Sequence, residues 1–274
     1  MVARIVPIDD PDDPRVAAYR DVRERDLVGR QGLFVAEGEV VLRVLASSRL
    51  HRPVSLLIAQ KRMAGLSETL AAIPDDVPIY AAGQAVMDAV VGFPIHRGIL
   101  ALGTRVAEPD PAELLGGLPA RALVLVLSAI ANHDNMGGLF RNAAAFGADA
   151  VLLDADCCDP LYRKAIRVSV GAALTKPFAR LAPGADLLGL LEGQGFEAVA
   201  LSPRGAATLA ELSRPPRVAV VLGAEGAGLS EALLARARTV RIPMADGFDS
   251  LNVAVTAGVV LHHLAFAAPA SGEG

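Results

Sequence analysis

The chain has 274 residues, 53% of them hydrophobic, with 26 basic against 30 acidic side chains for a net charge of −4. That length bounds it to one or two domains, the apolar content excludes a disordered chain, and the charge excludes a global basic field. Any nucleic-acid contact must therefore come from a local cluster. The two cysteines, Cys157 and Cys158, are adjacent. That spacing fits neither a disulfide framework nor zinc ligands, so no metal is expected, and free thiols point to a reducing compartment. The opening MVARIVPIDDPDDP has no apolar signal-peptide core, and a cytoplasmic location is expected.

In chain order, Asp9 to Pro14 reads as a turn, and residues 15–30 as a basic helix carrying Arg15, Arg20, Arg23, Arg25 and Arg30. Phe34 to Ser47 reads as a short strand and a helix. Strands are expected at 54–60, 77–82 and 98–105, with helices near 64–73 and 83–91. Residues 1–105 thus form a small α/β domain, and the Pro- and Gly-rich stretch 106–120 reads as a linker. From residue 121 to 274 the pattern changes. The runs 122–130, 150–154, 197–202, 218–223 and 239–244 are continuously apolar and β-rich, as in strands of a parallel sheet covered on both faces. Helical segments fall between most of them, giving a doubly wound α/β domain whose ligands should bind beyond the carboxyl ends of the strands.

Three loops lie at such ends. In ANHDNMGGLFRNAAAFGADAV (131–151), Asn135 suits a helix cap, with the helix over Met136 to Phe146. Arg141 then lies one turn from Gly137, Gly138, Ala144 and Ala145, so a bulky ligand could approach its guanidinium. LGAEGAGLS (222–230) ends an apolar run in three interleaved glycines that allow close backbone approach. It lacks the Lys-Ser/Thr of a Walker loop, and the adjacent glycines of the first loop are not the GxGxxG of a nicotinamide site. In IPMADGFDSLNVAV (242–255), Ser250 suits the cap of a last helix, about Leu251 to Ala267, with Asn252 beside it. Its apolar residues wrap round it, so it should be buried on most faces, in part by a partner subunit. Asn252, Thr256, His262 and His263 interrupt it, and no membrane span is expected.

Taken as a set, N-x-G-x-x-x-R-N-A, then L-G-A-E-G-x-G, then I-P-M…S-L-N-V-A-V resembles the SpoU (TrmH-type) family of RNA ribose methyltransferases. RKAIRVSVGAAL (163–174) is similar to a further family stretch, and FVAEG (34–38) with RGILAL (97–102) more weakly resembles the family's ribosomal-protein-like substrate-binding domain. The resemblance implies a trefoil-knotted, parallel-sheet methyltransferase domain, S-adenosylmethionine as cofactor, an RNA substrate (rRNA or tRNA) and a homodimer formed through the C-terminal helix. It implies cofactor contacts at Leu222, Gly223, Glu225, Gly226, Ile242, Ser250 and Leu251. It also implies a catalytic set of Arg141, Asn135, Glu225, Ser250 and Asn252. Where the family commonly has Asp-Pro before the motif asparagine, this chain has His133-Asp134.

An arginine is a poor base, its pKa being above 12. Arg141 is therefore expected to grip a phosphate beside the target ribose, with His133 as a competing base. Arg163, Lys164 and Arg167, near Lys176 and Arg180, are the expected RNA-binding cluster. The alternatives are a non-catalytic RNA-binding protein on the same scaffold and a nucleotide-dependent oxidoreductase, against which the missing GxGxxG argues.

Overall fold

The computed structural model describes residues 5–20, 28–29, 31–224, 226, 228–248 and 250–266. They divide into two compact units: the described parts of Met1–Ala107 with Pro160–Thr175, and of Glu108–Asp159 with Lys176–Gly274.

The first unit holds a five-stranded mixed sheet of β1 (Ile5–Ile8), β2 (Leu33–Glu37), β3 (Arg52–Ala59), β4 (Ile79–Ala82) and β5 (Ile99–Thr104), in the order β1-β4-β3-β5-β2. β1, β4 and β3 are parallel, while β5 runs antiparallel to both β3 and β2. Central β3 buries Leu56, Leu57, Ile58 and Ala59 completely. Sequence reasoning passes over β1, whose IVPI contains Pro7; as an edge strand it tolerates that missing donor. The basic helix expected at 15–30 is instead a 3₁₀ turn over Pro14–Tyr19. Its arginines answer the preceding acidic turn, Arg15 pairing with Asp13 and Arg20 with Asp12. Arg23, Arg25 and Arg30 lie outside the described residues. Pro160–Thr175, with its helix Arg163–Val168, packs in this unit although it lies in sequence within the stretch read as the second domain.

The second unit is a seven-stranded sheet of β6 (Ala122–Leu127), β7 (Ala150–Leu153), β8 (Phe178–Arg180), β9 (Glu197–Leu201), β10 (Ala207–Thr208), β11 (Arg217–Leu222) and β12 (Arg238–Arg241). The order is β10-β12-β9-β11-β6-β7-β8, and every pairing is parallel. All residues of β6 and β7 are buried, as their unbroken apolar runs require. The stretch read as a linker carries a helix, Pro111–Gly116, capped by the Asp110 carboxylate. Its Leu115 is fully buried, and the Arg217 guanidinium donates to the carbonyls of Leu115, Leu118 and Pro119.

The C-terminal helix spans Val253–Phe266. Its cap is Asn252, not the expected Ser250: the Asn252 Oδ1 accepts from the amides of Ala254 (2.9 Å) and Val255 (3.3 Å). The helix lies against His133–Ala145 at close range. A Cβ on Gly138 would meet that of Ala254 at 2.8 Å, and Gly258 faces the Asn142 amide. Val253, Ala257, Val260, Leu261 and Leu264 are buried, whereas Val255, Val259 and Phe266 are exposed. Among the described residues no helix is long and apolar enough to cross a membrane.

Candidate active site

The loop after β6 is fixed by side chains. Asp154, just beyond β7, accepts from the Ser128 hydroxyl (2.7 Å) and the Ala129 amide (2.9 Å) through Oδ2, and from the Asp156 and Cys157 amides (3.0 Å each) through Oδ1. Ala129 is held at a φ of +55°, an uncommon conformation for a residue with a side chain. Arg180 donates to the carbonyls of Asp154 and Cys157. Cys157 is buried and donates to the Leu127 carbonyl. Burial pushes the Cys157 thiol up to about 12 and the Cys158 thiol up to about 11, so both stay protonated near neutrality and serve packing, not reactivity.

This loop delivers the helix His133–Ala145 one turn earlier than the sequence suggests. Asn132 is the cap, its Oδ1 accepting from the amides of Asp134 (2.8 Å) and Asn135 (3.3 Å). Asn135 is thereby not a cap but a buried first-turn residue, 7% exposed, whose Oδ1 accepts from Asn252 Nδ2 at 2.9 Å. That bond ties the first loop to the third. Arg141 is exposed, and among the described residues no side chain pairs with it. The space expected around it is partly filled: Gly138 is small because Ala254 packs there. His133 is half-buried at the first helical position.

The loop after β11 is fixed by backbone. The Gly228 amide donates to the Ala224 carbonyl at 3.0 Å, and Gly226 and Gly228 have φ of +88° and +67°. A Cβ on Gly223 would sit 2.5 Å from the Gly228 carbonyl carbon, so this position excludes any side chain. Glu225 lies outside the described residues.

A cavity of about 620 Å³ opens at the carboxyl ends of β9, β11 and β12, within the usual range for small-molecule sites. Leu222, Gly223, Gly226, Ile242, Ser250, Leu251 and Asn252 all line it. Asn135 and Arg141 do not, although Asn135 is one hydrogen bond away through Asn252. Arg163, Lys164 and Arg167 belong to the first unit. Sequence reasoning missed the wall supplied by Leu201, Ser202, Pro203 and Arg204 after β9, and the floor from Leu229 and Leu234. The signal for the first was available, since EAVALS reads as a buried strand and its carboxyl end is SPRG. Gly205 lets that loop cross β12, where a Cβ would lie 2.4 Å from the Val240 carbonyl carbon. The cavity therefore offers apolar walls for a flat ring, the backbone of Gly223, Gly226 and Gly228 at the glycine turn, and hydroxyls on Ser202, Ser250 and Thr256. Among the described residues no group of side chains is arranged to hold a metal ion.

Residues 122–262 match the family model described as the SpoU rRNA Methylase family. An uncharacterised tRNA/rRNA methyltransferase of Mycobacterium tuberculosis is 41% identical over 263 residues, covering 92% of this chain and 89% of the relative. The 23S rRNA (guanosine-2′-O-)-methyltransferase RlmB of Salmonella typhi is 31% identical over 189 residues, covering 68% of this chain and 77% of RlmB. In fold, the chain is similar to the AdoMet-bound rRNA methyltransferase of Sinorhizobium meliloti, with a TM-score of 0.79, 20% identity, and 95% and 97% of the two chains covered. The parallel sheet, the glycine turn beneath the cavity and these relationships agree: the chain belongs to the SpoU rRNA methylase family of tRNA/rRNA methyltransferases.

Proposed function

We propose that this protein transfers a methyl group from S-adenosylmethionine to a ribose 2′-hydroxyl of rRNA or tRNA, in the cytoplasm. The observation that carries the reading is the cavity, where three strand ends and the cap of the last helix converge on a glycine turn too tight for any side chain at position 223. The residues fit the cofactor: Leu222, Ile242 and Leu251 give apolar contact, and the backbone of Gly223 and Gly226 and the Ser250 hydroxyl give polar contact; Glu225, outside the described residues, is a further contact that the family resemblance implies. We take the last strands and the C-terminal helix to form the family's trefoil knot, which would wrap these turns round the ligand. The 2′-O specificity rests on the name of the RlmB relative.

S-adenosylmethionine supplies a methyl group activated on a sulfonium. The chain's own residues then have two tasks. Asn135 and Asn252, bonded to each other, lock the helix bearing Arg141 to the helix that begins at the cavity wall. Arg141, exposed and with no side chain paired to it among the described residues, holds a phosphate of the substrate and so orients the neighbouring ribose. It cannot take the hydroxyl proton, which passes to that phosphate or to water. In the first unit Arg163, Lys164 and Arg167 add RNA contacts. The exposed Val255, Val259 and Phe266, on one side of the last helix, are the face of a homodimer.

Arg141→Ala should lower transfer of radiolabelled methyl to bulk rRNA and tRNA by on the order of a hundredfold or more, with cofactor affinity by calorimetry near wild type. Equal loss of both would overturn this division of roles. Cofactor binding by a wild-type protein that methylates no RNA would favour a non-catalytic RNA-binding protein.

A further inference from the structure

The first unit carries an exposed aromatic ring that the transferase chemistry does not use. Phe93 is 46% exposed. It follows Gly92, whose φ of +79° ends the helix Gln84–Val91. The turn that presents it is pinned: the Asp88 carboxylate accepts from the Ile95 amide (2.9 Å) and from Gln84 Nε2 (2.7 Å), while Gln84 also donates to the Ile95 carbonyl. Ile95 is buried beneath. A phenyl ring fixed at the surface by the turn below it is preorganised for contact.

One face of that ring is already stacked. The Arg163 guanidinium carbon lies over it, 5.1 Å from its centroid. Arg163 is itself held by Glu37, a buried residue whose carboxylate accepts from its Nε at 2.9 Å. Arg167 approaches the same oxygen at 3.7 Å. Around the corner Glu37-Gly38-Glu39, Arg97 lies against Gly38, and Arg62 and Arg43 pair with Glu39. Five guanidinium groups thus meet two carboxylates, a local positive excess on a chain of net charge −4. This chemistry fits phosphodiester for the cations and a flat, uncharged π-face for the ring. A paired duplex offers the first but hides its base faces, whereas an unpaired loop or bulge offers both.

Resting on the reading of RNA as substrate, we propose that Phe93, backed by Arg163 and Glu37, is a stacking platform for one unpaired base of the RNA, next to phosphates held by Arg97 and Arg167. It makes the first unit selective for looped or bulged RNA over continuous duplex.

The test uses the full chain, a hairpin RNA with 2-aminopurine in its loop, and a fully paired duplex of the same stem sequence. Wild type should bind the hairpin more tightly than the duplex and quench the loop fluorophore. Phe93→Ala should lose roughly 5- to 100-fold in hairpin affinity, with duplex affinity unchanged and the quench abolished. Phe93→Trp should restore both. Calorimetric binding of S-adenosylmethionine, by the other unit, reports separately on the transferase reading, and the unchanged duplex affinity and the urea midpoint report on folding of each variant. The platform is overturned if Phe93→Ala binds the hairpin like wild type. It is equally overturned if wild type shows no preference for hairpin over duplex, or binds neither.

Discussion

The two units make their binding surfaces from opposite materials. In the second, the cavity is shaped by backbone: Gly223 packed on Gly228, Gly205 packed on β12, and strand ends in register across an all-parallel sheet. In the first, the corner at Glu37 is made of long charged side chains, with Arg163 and Arg167 drawn to Glu37 and Arg62 to Glu39. A surface of backbone has few ways to change and fails completely when one atom is added. A surface of side chains degrades by steps, because each ion pair contributes separately.

That contrast can be broken by experiment. The largest effect should come from Gly223→Val, whose Cβ alone would lie 2.5 Å from the Gly228 carbonyl carbon, well inside van der Waals contact. Cofactor affinity by calorimetry should fall by on the order of a hundredfold or more, with RNA binding by the first unit retained. A variant that still binds the cofactor tightly would show that side chains, not backbone, shape the cavity. A smaller effect is expected from Glu37→Gln, which keeps the shape and removes the charge gripping Arg163. It should cost about 1–3 kcal/mol, read as a lower urea midpoint, because a mostly buried guanidinium loses its counter-charge. An unchanged midpoint would show that Arg163 needs only the hydrogen bond. The smallest effect concerns His51, buried edge-on to Phe34 with Nδ1 donating to the Thr104 carbonyl. Burial holds its pKa below the ordinary 6.5. The unfolded chain therefore takes up its proton first as pH falls, so this contribution to stability is complete above about pH 6.5 and declines below it. Urea midpoints at pH 5.5 and 7.5 should differ less in His51→Leu than in wild type, and equal differences would remove His51 as the cause.

Legibility differed between the units for the same physical reason. β6, β7 and the run 218–222 of β11 could be read directly, since strands covered on both faces must be apolar throughout. The first unit was harder. β1 hides a proline on an edge, and Arg15 and Arg20, which look like a basic face, are answered by Asp13 and Asp12. Both helix caps were placed three or two residues from their true positions. Asn132, Asn135, Ser250 and Asn252 are all competent caps by type, and only the path of the backbone selects among them.

What the amino-acid order settled alone was the parallel sheet, the three glycine- and asparagine-bearing strand ends and the family to which they belong, because buried strands and tight turns restrict residue type locally. What needed the tertiary structure was partnership. Asn135 meets Asn252 across 117 positions and Glu37 meets Arg163 across 126, and the segment Pro160–Thr175 leaves its neighbours in sequence to pack with the first unit. Contacts between distant positions depend on how the chain closes, and no local pattern of residue types carries that information.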